Sequence, residues 1–197
     1  MQKQNYHQEM QQKMAAIPAG QRLLLHSCCG PCSAAVMERL GAWFVLEVYF
    51  YNPNIQDKAE YQQRLEAQRV AIKRVDTAYP VTLIEAPYNP APFEDIAVGL
   101  EDTPEGGPRC TACFTLRLTA TAQLANERGI PYFTTTLTVS PRKDAVRLNE
   151  IGHAVGEPLG TTYLPGDLKK QGGYQRSMEL AQAWGLYRQS YCGCLFH

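Results

Sequence analysis

An α/β fold of the Rossmann-like (HUP-like) type is predicted, with one parallel sheet of about five strands and helices on both faces. Three observations predict it. Short β-rich runs alternate with helical segments along the whole chain. Several of those runs, such as Leu23-Leu24-Leu25, are continuously apolar, as strands buried on both faces are. Chemistry-bearing residues collect just after strands, where ligands gather in open parallel sheets.

The elements follow in order. Residues 22–27 form a first buried strand, and a helix runs from Ser33 to Leu40, stopping at Gly41. Phe44 to Tyr51 is a second strand that ends in the turn-forming Asn52-Pro53-Asn54. Asp57 is an N-cap with Glu60 three residues on, opening a helix to about Val75. Val81 to Glu85 is a third strand, followed by a long acidic loop, rich in Pro and Gly, from Pro87 to Pro108. A helix spans Thr111 to Arg128, closed by Gly129. Its predicted inward face is Cys113, Leu116, Ala120 and Leu124. The β-branched run Tyr132 to Val139 is a fourth strand, Arg142 to Ala154 a helix, Thr161 to Leu164 a fifth strand and Gln175 to Trp184 a last helix.

At 197 residues the chain is large enough for one full core. Residues 1–20 read as a polar N-terminal extension and 21–197 as a single α/β catalytic domain. No stretch has the length of a membrane span, and the Gln-rich N-terminus lacks the apolar core of a signal peptide. A cytoplasmic location is expected, with no membrane as partner. The net charge is zero, but Glu85 to Gly107 holds six acids and no Lys or Arg, leaving +6 on the rest. A basic face for nucleic acid is compatible with that distribution. Neither nucleotide-binding glycine fingerprint is present.

Seven cysteines in a reducing compartment point to metal or redox chemistry rather than a disulfide framework. They form three groups: CCGPC at 28–32, RCTACF at 109–114 and YCGC at 191–194. Cys29-Gly30-Pro31-Cys32 matches a thioredoxin-type motif, but that enzyme class leaves five cysteines unexplained. Cys110 and Cys113 lie one turn apart at a helix start, where the helix dipole favours thiolate. Thiolate clusters suit zinc or an iron–sulfur cluster. The tandem Cys28-Cys29 is expected to point in two directions, which suits different irons of one cluster better than a single tetrahedral ion. Cys192-Gly193-Cys194 allows a small, strained disulfide ring, and such rings tend to be redox-active; further metal ligation is the alternative. His26 reads as a core histidine, Asn52 and Asn54 as turn residues, and Thr134 to Thr136 as strand formers.

Five blocks, YFYNPNI (49–55), GGPRCTACFTLRL (106–118), FTTTLTVSP (133–141), KKQGGYQRSMELA (169–181) and GLYRQSYCGC (185–194), resemble the QueH-type epoxyqueuosine reductases. The similarity runs from about Leu23 to Phe196. It implies an oxidoreductase that needs no cobalamin and reduces epoxyqueuosine at the tRNA wobble position to queuosine. It implies a 4Fe–4S cluster held by Cys28, Cys29, Cys110 and Cys113, with Cys192 and Cys194 a redox-active catalytic pair. A second, mononuclear iron is implied beside the cluster, with Cys32 its candidate ligand; some family members carry Asp there, so ligation and no role both stay open for Cys32. The partners implied are tRNA and an unidentified electron donor. Arg109, Arg142, Lys143, Lys169, Lys170, Arg176 and Arg188 are the tRNA candidates, Arg109 also as a phosphate or cluster-charge partner. Two rivals from other classes are a metal-free thiol–disulfide oxidoreductase and a zinc-stabilised, non-enzymatic tRNA-binding module.

Overall fold

Leu23, Leu24 and Leu25 lose all contact with solvent, as a strand covered on both faces must. They lie in β1 (Arg22–His26), the central strand of a parallel sheet ordered β3-β2-β1-β4-β5. The computed structural model describes residues 4–196, and β2 (Val45–Phe50), β3 (Val81–Glu85), β4 (Tyr132–Thr135) and β5 (Thr162–Tyr163) complete that sheet among them. Register sets His26 of β1 opposite Tyr49 of β2 and Thr135 of β4. After β3 the chain crosses to the far side of β1, so the topological switch point lies between β1 and β4.

Side chains alternate between the faces of the sheet. Leu23 and Leu25 join Met37, Leu40, Leu46, Val48 and Leu180 in the larger core, while Leu24 joins Ala122, Ala125, Phe133 and Tyr163 in the other. The first layer is supplied by α2 (Gly30–Leu40), α3 (Lys58–Arg74) and α7 (Gly173–Ala183), the second by α5 (Pro108–Glu127) and α6 (Ala145–Gly156). Caps fix several starts. Asp57 accepts the Glu60 amide at 2.7 Å, as its spacing predicts, and Asp144 accepts those of Val146 and Arg147.

Four elements differ from expectation. Within the polar N-terminal stretch, α1 (Tyr6–Ala16) buries Tyr6, His7 and Met10, and Met10 joins the larger core. Its Gln-rich sequence has too few apolar residues to announce a helix. The acidic loop contains α4 (Ala91–Ala97), too short for a period to show, which buries Phe93 and Ala97. β4 stops at Thr135, and Thr136–Val139 form a 3-10 turn instead of strand. The Thr135 hydroxyl accepts the Leu137 amide at 3.1 Å, an ST-type turn that β propensity alone hides. Finally, α2 begins at Gly30, so Cys29 is its N-cap and Cys32 lies within its first turn.

Glu47 interrupts the apolar run of β2 and is buried. Its carboxylate accepts Arg22 Nη2 at 2.6 Å and Arg128 Nε at 2.8 Å, joining β1, β2 and the end of α5. Burial raises its pKa; hydrogen bonds and charge from the two arginines outweigh that and leave it below 4.5. A depressed folded-state pKa contributes stability above the unfolded value that is lost as pH falls through the folded one. Glu47→Gln is therefore expected to lose about 1–2 kcal/mol at pH 7, limited by the half-exposure of both arginines. In denaturant titrations the gap to wild type should close progressively below pH 4.5; a gap independent of pH would exclude the linkage. Gly30 permits the close approach of α2 to α3, since a Cβ there would meet Ala67 O at 2.4 Å. Gly30→Ala should cost about 1–3 kcal/mol by overpacking, measured in the same titrations.

Candidate metal and redox site

The sulfurs of Cys28, Cys29 and Cys32 lie within 4.8 Å of one another, those of Cys28 and Cys29 at 3.7 Å. The tandem cysteines thus converge rather than diverge, because the chain turns from strand into helix between them and α2 brings Cys32 back beside the pair. Thr136, in the 3-10 turn after β4, accepts the Cys28 amide at 3.2 Å and donates to its sulfur at 3.4 Å. Gln189 Nε2 donates to Cys29 Sγ at 3.0 Å. Hydrogen bonds from Cys29 and then Cys32 hold the Cys28 thiol well below its ordinary range against burial, with Arg117 and Lys143 assisting. Its hydrogen bond with Cys28 pushes Cys29 up to about 12, and Cys32 is raised for the same first reason. Of the three, Cys28 is the thiol whose ionised form the site favours.

The other four cysteines line a neighbouring cavity with Asn54 and Lys143, its free space about 50 Å³, enough for a few water-sized groups. Cys110 Sγ accepts the Gly106 amide at 3.2 Å. Despite the helix start, burial raises the Cys113 thiol, opposed by the charge and a hydrogen bond of Arg117. In the chain segment after α7, Gly193 takes φ +102°, a conformation that requires glycine between the two cysteines. A hydrogen bond from Cys194 lowers Cys192 to about 5 in spite of burial, and the same bond raises Cys194. The pair is a thiolate beside its proton donor. Arg64 fastens this segment by donating to the carbonyls of Tyr191 and Cys192, both at 3.1 Å, and Asn54 Nδ2 donates to the latter at 2.9 Å.

Beneath both groups lies a polar network that the sequence did not announce. Arg117, on α5, is 3% exposed; its Nη2 reaches Asn52 Oδ1 at 2.5 Å and its Nε lies 3.3 Å from His26 Nε2. Asn52 Nδ2 donates to Ser27 O at 2.9 Å, and His26 Nδ1 lies 2.8 Å from Thr135 Oγ1. Burial first, and Arg117 next, lower His26 to about 3, so the ring is neutral. The inward face of α5 keeps Cys113, as expected, but continues with Phe114, Arg117, Leu118 and Thr121 in place of Leu116, Ala120 and Leu124. Polar side chains displaced the predicted apolar ones because each finds a partner: Thr121 donates to Arg117 O at 2.8 Å. The spacing Cys113–Arg117, one helical turn, was the available signal.

Among the basic candidates, Arg142 is exposed, Lys143 half-buried, and both line the cysteine cavity. Arg147, absent from the predicted set, lines it as well. It also borders an open groove of about 990 Å³ that runs along α5 from Gly107 to Gln123 past Tyr51. Arg109 is buried and donates to the carbonyls of Leu100, Glu101, Thr103 and Phe196, pinning the acidic loop to the C-terminal segment. Lys169 pairs with Asp167 and Arg176 with Glu38; Lys170 and Arg188 are exposed.

Three convergent sulfurs are a donor set for a thiophilic metal. With metal–sulfur bonds of about 2.3 Å, sulfurs 3.7 Å apart can share one ion. A four-iron cluster takes four thiolates, one more than this triad offers, and Cys110 and Cys113 line the neighbouring wall. Cys28 and Cys110 pack against the same apolar group of Phe114, Leu118, Leu137 and Leu148, so the two walls adjoin.

The family model for epoxyqueuosine reductase QueH matches residues 23–197. The chain is 44% identical to epoxyqueuosine reductase QueH of Staphylococcus epidermidis, over 89% of its own length and 75% of the relative's. It is 42% identical to that of Streptococcus pyogenes over 99% and 78%, and 33% identical to that of Thermotoga maritima over 88% of each. No helix among the described residues is long and apolar enough to cross a membrane. Spanning nearly all of the sheet and every cysteine, these matches make the chain a member of the epoxyqueuosine reductase QueH family.

Proposed function

We propose that this chain is a cytoplasmic tRNA-modifying reductase that converts epoxyqueuosine at the wobble position to queuosine without cobalamin. One observation supports it beyond the family: four cysteines line one cavity that shares Arg147 with a groove, and the three sulfurs of the Cys28 loop converge beside it. The reaction breaks both C–O bonds of the epoxide, forms a carbon–carbon double bond and releases water, consuming two electrons and two protons.

We assign Cys28, Cys29, Cys110 and Cys113 as ligands of a 4Fe–4S cluster, with Cys32 available to a second, mononuclear iron. When bound, the cluster supplies electrons singly. Cys192 and Cys194 form the redox pair. Their conversion from thiolate and thiol to a disulfide yields the two electrons the epoxide needs and one of its two protons, the second coming from water, and an external electron donor then restores the reduced pair. In the reduced pair Cys194 holds a proton next to the Cys192 thiolate, where a leaving oxygen can be protonated. The groove along α5 seats the nucleotide, with Tyr51 offering a ring face and Arg147 standing where groove meets cavity. Arg142, Lys143, Lys170 and Arg188 are the free basic candidates for tRNA phosphates. Lys169 and Arg176 are already paired with carboxylates, and Arg109 is turned to carbonyl groups of its own chain.

The compactness of the Cys28 triad favours one rival, a single zinc ion on that loop in a tRNA-binding module. Metal analysis separates the two. Anaerobically purified protein should contain about four to five irons and four acid-labile sulfides per chain; near one zinc and no sulfide would sink the reductase mechanism. Cys192→Ser and Cys194→Ser are each expected to lower turnover roughly 100-fold or more, as removing a reacting group does, with iron and sulfide unchanged. Wild-type turnover in either variant would end the assignment of the pair.

A further inference from the structure

Arg64, Arg109 and Arg117 are each no more than 3% exposed. A guanidinium withdrawn from water must be compensated by its surroundings. Arg64 has Glu60 at 2.6 Å. Arg109 faces a ring of carbonyl oxygens. Arg117 has neither. Its partners are the neutral ring of His26 and the neutral amide of Asn52, and among the described residues it pairs with no carboxylate. Glu105 and Asp144, the acids that line the same cavity, are exposed and neither makes an ion pair with it. Sulfurs adjoin it on two sides: Cys113, one turn earlier on α5, lines the same cavity, and Cys28 follows Ser27, whose carbonyl is held by the same Asn52 that Arg117 contacts. Lys143 faces the same sulfurs but is half-exposed, so water and salt screen it.

We propose that Arg117 is a positioning residue whose buried charge is the counter-ion of the metal–thiolate centre, placed between the Cys28 loop and Cys113 to make that centre easier to reduce. This role rests on the ligation proposed above. A thiolate-bound cluster gains negative charge with each electron it accepts, and its potential follows net charge and solvent exposure. A fixed cation at short range in a site poor in water favours the reduced form. Arginine suits the task because it keeps its proton at any working pH, and its direction is locked. Asn52 is held by Ser27 O, and His26 sits against Thr135. A thiolate set without this cation would crowd like charges in a buried space.

The test uses the full chain, purified anaerobically, as wild type, Arg117→Gln, Arg117→Lys and Asn52→Asp. Wild-type iron, zinc and sulfide are measured first and decide the ligation by themselves. If a cluster is present, redox titration followed by electron paramagnetic resonance reads the midpoint. Arg117→Gln should shift the equilibrium about tenfold toward the oxidised form, 59 mV for one electron. Arg117→Lys should restore part of that shift. Asn52→Asp leaves the guanidinium in place but neutralises it, and should shift the midpoint in the same direction; it also carries the test if Arg117→Gln fails to fold. A wild-type midpoint in Arg117→Gln or Asn52→Asp at full metal content overturns the proposal, because a merely structural arginine would leave the potential alone. If wild type carries zinc and no sulfide, the cluster assignment fails while the counter-charge is still decided by chelator competition. Arg117→Gln and Asn52→Asp should then release zinc about tenfold faster, a 1.4 kcal/mol effect if it lies in affinity, and wild-type release rates overturn it.

Discussion

Much of this molecule depends on a single buried guanidinium. Arg117 leaves α5 at the level where β1 and β2 end, and two of its contacts, His26 and Asn52, lie at or just past those ends. Asn52 then holds Ser27 O, the last carbonyl before the cysteine loop. The loop, the β2 turn and α5 are thereby tied through one planar group, and each carries or adjoins a sulfur cluster. Sheet packing sets the distance between these elements. The network sets their rotation, and rotation is what aims a sulfur.

Two other arginines do the corresponding work for the chain after α7. Arg64 grips the carbonyls on either side of the Tyr191–Cys192 peptide, with its own charge answered by Glu60. Arg109 grips Phe196 O and the acidic loop at once. Aromatic contacts add to this, Phe196 near Phe93 at 6.1 Å and the Arg64 guanidinium over the Tyr191 ring at 5.3 Å. A segment with no regular secondary structure is held at positions dense enough to keep Cys192 and Cys194 facing the cavity.

The sheet and its order of elements were legible because burial imposes period and composition that survive in a single sequence; Leu23 to Leu25 and the Asp57 cap are examples. The cysteine groups were legible because spacing within a loop or a helical turn is local. Failures came where tertiary partners reversed a local preference. Thr136–Val139 left the strand for a turn closed by a hydroxyl group. Arg117 and Thr121 went inward because buried partners awaited them, something no helical wheel contains. The convergence of Cys28 with Cys29 hinged on where α2 begins, a boundary that Pro31 in the first helical turn could have signalled. Which sulfurs face each other across the cavity is a matter of tertiary distance, and spacing in the chain is silent on it.

The Gln189 and Arg64 contacts also set a timetable. The Cys28 loop is built early in synthesis, yet the group that donates to Cys29 lies 160 residues later. Synthesis runs from the N-terminus, so the Cys28 loop leaves the ribosome before α5, β4, β5 and α7 exist to pack around it. Closure over the sulfurs falls to the segment after α7, made after every strand of the sheet. The covering of the Cys28 sulfurs is thus the last part of the fold to be made, and until then those three thiols stand open to whatever solutes the cell supplies.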